Sequence, residues 1–137
     1  MVKIGLIRCE KNENRCPLTG CFRSIETATQ GFSMYEEAEI VGVFTCRCPG
    51  DRLAEFGKIL KSKGADVIHF CTCAFSEKSD GKWVLGNGFC DGLDDLMRNL
   101  SDATGLACVK GSAHLPEGYR PETISAGQNE ASSEVSV

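Results

Sequence analysis

Short apolar runs alternate with longer stretches of helical periodicity along this chain. Val2–Arg8 (VKIGLIR), Ala38–Thr45 (AEIVGVFT), Asp66–Phe70 (DVIHF) and Leu106–Lys110 (LACVK) have the length and β-branched content of strands. Between them, Leu53, Phe56 and Leu60 recur at helical spacing. They predict a helix over Arg52–Lys63, with Asp51 as its N-cap and Gly64 just past its end. Leu93, Leu96, Met97 and Leu100 predict a second helix over Gly92–Thr104, capped by Asp91 and ended by Gly105. A third helix is expected over Cys21–Gln30, with Phe22, Ile25 and Thr29 on one side and Gly31 at its end. The polar segment Ala74–Gly88 reads as a flap loop or as a hairpin around Asp80-Gly81.

Strands alternating with helices imply right-handed crossovers and a three-layer α/β fold. The simplest arrangement is a mainly parallel four-stranded sheet in the flavodoxin-like order 2-1-3-4. From Leu115 the apolar pattern stops. Pro116–Val137 is rich in Glu, Ser, Pro and Gly and is expected to be a disordered acidic tail behind a single domain of residues 1–115.

Composition narrows the function. The 137 residues carry 15 basic and 19 acidic side chains, for a net charge of -4. No basic stripe calls for nucleic acid, and no polybasic segment or long apolar run calls for a membrane. The chain opens directly into a strand pattern, so no secretory leader and a cytoplasmic location are expected. Nine cysteines in a reducing compartment are read as metal ligands, redox groups or buried apolar residues, not as a disulfide framework.

The cysteines fall where chemistry is expected. The first strand runs into Cys9, the second into Cys46 and Cys48, the third into Cys71 and Cys73. Parallel strands would bring all of these thiols to the carboxyl edge of the sheet, where open α/β folds place their crevice. The competing reading, small buried hydrophobes at strand ends, is natural for one such cysteine and less so for five. The pairs Cys46/Cys48 and Cys71/Cys73 suit shared ligation of zinc or an iron–sulfur cluster, each of which takes sets of four thiolates, with His allowed for one. Cys16 and Cys21 bracket a loop before the first helix. They are either ligands, or Cys21 merely starts the helix. Cys90 precedes a helix, where the macrodipole favours a thiolate, so it is a ligand or a reactive thiol. His114, past the fourth strand, is placed to join the site. Cys108 and His69 lie inside strands and read as structural.

The stretches IGLIRCE, CPLTGCF, VGVFTCRCPG, GADVIHFCTC and KGSAH resemble the CGGC domain of bacteria and archaea, from Val2 to about His114. That family is named for a Cys-Gly-Gly-Cys at the end of its second strand. The resemblance implies metal binding, with zinc the expected ion, and carries a ligand role onto Cys9, Cys16, Cys21, Cys46, Cys48, Cys73, Cys90 and His114. This chain departs from the defining motif. Cys46-Arg47-Cys48 stands where the family has CGGC, and Asp91 follows Cys90 where the family favours Pro.

The reading of the residues is therefore a cytoplasmic metal-binding domain, zinc or iron–sulfur, with its site at the carboxyl edge of the sheet and a possible redox link. Two alternatives stand beside it. One is a metal-free thiol oxidoreductase using Cys46, Cys48 or Cys90. The other is a phosphatase or arsenate-reductase-like enzyme, because Cys9 and Arg15 are spaced as Cys-x5-Arg. Against the last, the intervening loop has no glycine, carries Glu10 and Glu13, and has no Asp-Pro acid to accompany it.

Overall fold

The structure is a computed structural model and describes residues 1–86 and 88–125. The elements follow in the order β1 (Val2–Cys9), α1 (Thr19–Thr27), β2 (Ala38–Cys46), α2 (Leu53–Ser62), β3 (Val67–Phe70), β4 (Ser76–Ser79), β5 (Lys82–Leu85), α3 (Leu93–Thr104), β6 (Ala107–Lys110) and β7 (Glu122–Ile124). The main sheet has the order β2-β1-β3-β6-β7. Its first four strands are parallel and take the expected relative order.

The expectation of a four-stranded sheet is corrected by β7, which pairs antiparallel with β6 and makes a mixed sheet of five. This strand comes from the segment expected to be tail. Few apolar residues are needed there, because an edge strand is held mostly by backbone bonds. Tyr119 supplies the anchor. Its ring lies 5.2 Å from that of Phe75 and its hydroxyl donates to the Lys110 carbonyl at 2.7 Å. Lys110 then reaches Glu122 at 3.2 Å and Asp94 at 2.6 Å. The rest of the expected tail, 126–137, lies outside the described residues.

Alternation along β1 and β3 sorts the core onto the two faces of the sheet. Ile7, Ile68 and Phe70 pack with Leu53 and Leu60 of α2 and Leu93, Met97 and Leu100 of α3. Ile4, Val67 and Val109 pack on the opposite face with Ile25 of α1 and with Phe32. Each such buried side chain contributes about 1.5–3 kcal/mol relative to exposure. The layers are thus α1, the sheet, and the α2–α3 pair.

Helix ends differ from expectation in detail. Gly64 and Gly105 take left-handed conformations at the ends of α2 and α3, as expected. Asp51 and Asp91 are not the caps, since the N-cap positions fall on Arg52 and Gly92 and no side chain caps either. Helix α1 starts two residues early and stops at Thr27, because Ala28 and then Gln30 turn left-handed. Its inward face is Cys21, Ser24 and Ile25, and Phe22 is exposed. Leu96, expected inward, is only partly buried. Of the two readings of 74–88, the hairpin holds. Asp80 and Gly81, both at positive φ, join β4 to β5 as a primed turn requires.

Candidate thiol sites at the carboxyl edge

The carboxyl edge carries two hollows lined by cysteines, and Cys9 adjoins both groups. Cys46, two residues after Phe44, packs on the α2–α3 side, whereas Cys9 at the end of β1 lines the hollow there and also packs with Leu6, Cys21, Cys71 and Cys73 on the α1 side. Phe70 faces the α2–α3 side. Cys71 is therefore one position out of phase and turns toward α1, where it packs with Cys21 and Cys73. Cys9 stands between the two groups, lining one hollow with Cys46 and packing in the other cluster with Cys71 and Cys73.

The rim group is Cys9, Cys46, Cys48 and Cys90. They line one hollow of about 380 Å³ with Ile7, Phe70, Leu93 and Leu96 as its apolar floor. Three chain segments meet there: the end of β1, the end of β2 with the loop after it, and the approach to α3. Cys9 and Cys46 are direct partners in the register of β1 and β2. Burial, with Cys90, Cys9, Cys48 and Glu10 nearby, pushes the Cys46 thiol up to about 11. Cys90 is also raised by burial, against a backbone N–H from Gly92 that favours its thiolate. Burial raises Cys9, opposed by the Lys11 backbone N–H. These thiols resist ionising together unless a cation joins them.

Arg47, the residue that replaces the glycines of the CGGC motif, faces outward. Its guanidinium meets Glu13 at 2.8 and 3.3 Å and lies 3.7 Å from Glu10. Glu10 also accepts the Cys48 backbone N–H at 2.6 Å. The Cys-x-Cys loop is thereby clamped to the segment after β1. This clamp was not legible beforehand, since nothing in the sequence says that 10–13 and 47–48 are neighbours.

The buried group is Cys21 and Cys71, with Cys16, Cys73 and His114 around a second, small hollow of about 60 Å³. Cys21 Sγ and Cys71 Sγ are 3.8 Å apart, and Cys21 Sγ is 3.1 Å from Ser112 Oγ. The Cys71 thiol, the Ser112 hydroxyl and the Ala113 backbone N–H surround the Cys21 sulfur and, against the cost of burial, lower its pKa to about 6. Cys71 is correspondingly raised, because its proton is held by Cys21 and it is itself fully buried. Burial pushes Cys73 up to about 11, opposed by hydrogen bonds from Asn12 and from the Cys9 backbone. Cys16 Sγ accepts the Leu18 N–H at 3.4 Å. His114 stacks on Trp83, ring centroids 5.7 Å apart and nearly parallel. Ser112, unremarked in the sequence, sits at the carboxyl end of β6, and that position was the available signal.

Cys108 and His69 are core residues, as expected. Cys108 is pushed up to about 12 by burial alone. His69 bonds the Gly111 carbonyl through Nδ1 at 2.8 Å and Tyr35 Oη through Nε2 at 2.7 Å. The Cys-x5-Arg loop makes no oxyanion cradle. The N–H groups of Glu13, Arg15 and Cys16 are spent on the carbonyls of Glu10 and Asn12, and the Arg15 guanidinium lies over the Phe89 ring.

The family model for the CGGC domain matches residues 3–113. The chain belongs to the CGGC domain family. An uncharacterised protein of Methanocaldococcus jannaschii is 36% identical over 81 residues, covering 54% of this chain and 63% of the relative. This CGGC domain thus aligns with less than two thirds of that relative's length. No solved structure matches the chain. No helix among the described residues is long and apolar enough to cross a membrane.

Proposed function

We propose that this CGGC domain binds a thiolate-ligated metal centre in the rim hollow, with Cys9, Cys46, Cys48 and Cys90 as ligands and an iron–sulfur cluster as the centre. The carrying observation is that four thiols from three segments of the chain line one apolar hollow of about 380 Å³. Among the described residues no three His, Cys, Asp or Glu side chains converge on the position of a single ion. The donor set is four soft thiols, the kind that iron–sulfur centres take. Backbone N–H groups of Lys11 and Gly92 point at the sulfurs of Cys9 and Cys90, the kind of hydrogen bond that tunes such centres.

When bound, a cluster would supply one-electron transfer. The chain's own part is to hold the four sulfurs, with the Glu10–Arg47–Glu13 clamp fixing the loop that bears Cys48. Cys16, Cys21, Cys71, Cys73 and His114 are left out of this ligand set because they line the second, smaller hollow and not this one. The test is anaerobic purification followed by metal and acid-labile sulfide analysis. Iron with sulfide and a brown colour are expected, and Cys46→Ser and Cys90→Ser should each lose most of it with secondary structure retained. Zinc without sulfide would replace the cluster by an ion. Wild type without any metal would overturn the proposal.

A further inference from the structure

The Cys21–Cys71 pair is a second constellation, with its own hollow and its own donors. Cys21 comes from α1 and Cys71 from the turn after β3. Their sulfurs are 3.8 Å apart. A disulfide needs about 2.0 Å, so they must close by roughly 1.8 Å. Ser112 Oγ lies 3.1 Å from the Cys21 sulfur. Ser112 is held in turn, because its Oγ accepts the Thr72 N–H and its N–H is donated to Thr72 Oγ1, both at 3.1 Å. The Cys21 thiol donates to Ser112 Oγ, and the Ala113 backbone N–H is a donor to the Cys21 sulfur. The loop that carries Ser112 is fixed from behind, since its carbonyl accepts the Gly31 N–H at 2.7 Å. A Cβ on Gly31 would stand 2.7 Å from Gly111, so only glycine allows that approach.

The hollow beside the pair sets what can reach it. It measures about 60 Å³ and is lined by Cys21, Cys71, Ser112, Cys16, Arg8 and His114 among others. A water needs roughly 10–15 Å³ of such space, so a few waters or one small peroxide fit there. A glutathione-sized disulfide does not. A sulfur held between Ser112 Oγ and the Ala113 backbone, a second thiol 3.8 Å away, and a small hollow beside them make one chemical combination.

We propose that Cys21 and Cys71 form a peroxide-reactive dithiol, with Cys21 the attacking sulfur, Cys71 the resolving one, and hydrogen peroxide the oxidant. The Cys21 thiolate attacks one peroxide oxygen. A sulfur–oxygen bond forms, the O–O bond breaks, and the leaving hydroxide takes a proton and departs as water. The Cys71 thiol then attacks the Cys21 sulfenic acid. The S–S bond forms, the S–O bond breaks, and a second water leaves carrying the Cys71 proton. Two thiols are oxidised by two electrons and one peroxide is reduced to two waters. An external dithiol returns the pair to its starting state by exchange. Ser112 and Ala113 are positioning residues, holding the Cys21 sulfur and its charge.

This site is independent of the rim reading, and its test keeps the two apart. Fully reduced protein is treated anaerobically with one equivalent of hydrogen peroxide, alkylated, digested and mapped. The expected result is loss of two thiols per chain and a Cys21–Cys71 cross-link that dithiothreitol reverses. Cys71→Ser should stop at a Cys21 sulfenic acid, trapped by a 1,3-diketone. Cys21→Ser should slow peroxide consumption at least tenfold and keep its metal content. Cys46→Ser, which should lack the rim metal, should still form the Cys21–Cys71 bond. Oxidation that maps to Cys9, Cys46, Cys48 or Cys90 while Cys21 and Cys71 remain alkylatable would overturn the proposal. Should Cys21→Ser fail to fold, the map of the wild-type protein decides by itself.

Discussion

Lowering the pH below neutrality should destabilise this domain through one residue, His69. The side chain is fully buried on β3. Its Nδ1–H donates to the Gly111 carbonyl and its Nε2 accepts from the Tyr35 hydroxyl, so the neutral ring is satisfied on both sides. Protonation would set Nε2–H against the Tyr35 hydroxyl and put a charge in the core. Burial therefore lowers the His69 pKa from 6.5 to about 4, and the Gly111 carbonyl only partly opposes this. The sign follows. The unfolded chain takes up the proton as pH falls through 6.5 and the folded chain does not. The stability contributed by the neutral ring is thus complete above 6.5 and is lost as pH falls toward about 4. At about 1.4 kcal/mol per pH unit, the loss across that window accumulates to about 3 kcal/mol. The assay is urea unfolding of reduced protein between pH 4.5 and 7, followed by circular dichroism, for wild type and His69→Gln. The variant lacks the titrating ring, so carboxylates and other shared groups cancel in the comparison. Wild type should lose stability more steeply than the variant throughout the window. Equal slopes would refute the reasoning. The effect touches the second thiol site, because Gly111 begins the loop that presents Ser112 and Ala113 to Cys21.

Two further outcomes follow from the packing. Cys108→Ser places a hydroxyl in a strand position with no exposure, and should cost about 1–3 kcal/mol in denaturant unfolding while the folded protein keeps its metal content. A matching loss of metal would show that Cys108 is tied to the site. A chain ending at Leu115 should melt several degrees below one ending at Ser125, because it loses β7, the Tyr119–Phe75 contact and the Lys110–Glu122 ion pair. Equal midpoints would show that this segment does not hold the sheet.

Local patterning in the sequence was enough to identify the parallel strands, the α2 and α3 periodicity, the strand-end cysteines and the core character of Cys108 and His69. These follow from spacing along one segment, which short-range sterics and burial translate directly into structure. The β7 strand was hidden, because its anchor is one tyrosine acting across the sheet on Phe75 and Lys110. The division of the cysteines was half legible. The period of two along β2 keeps Cys46 with Phe44, and Cys71 directly follows Phe70 and faces the other way, but Cys9 at the strand end packs with Cys71 and not with Ile7. Only tertiary structure decided which cysteines meet. Cys21 reaches Cys71 across 50 residues, and Ser112 reaches Cys21 across 91. Such pairings are set by how α1 and the loop after β6 close over the sheet edge, a long-range packing choice that no local spacing encodes.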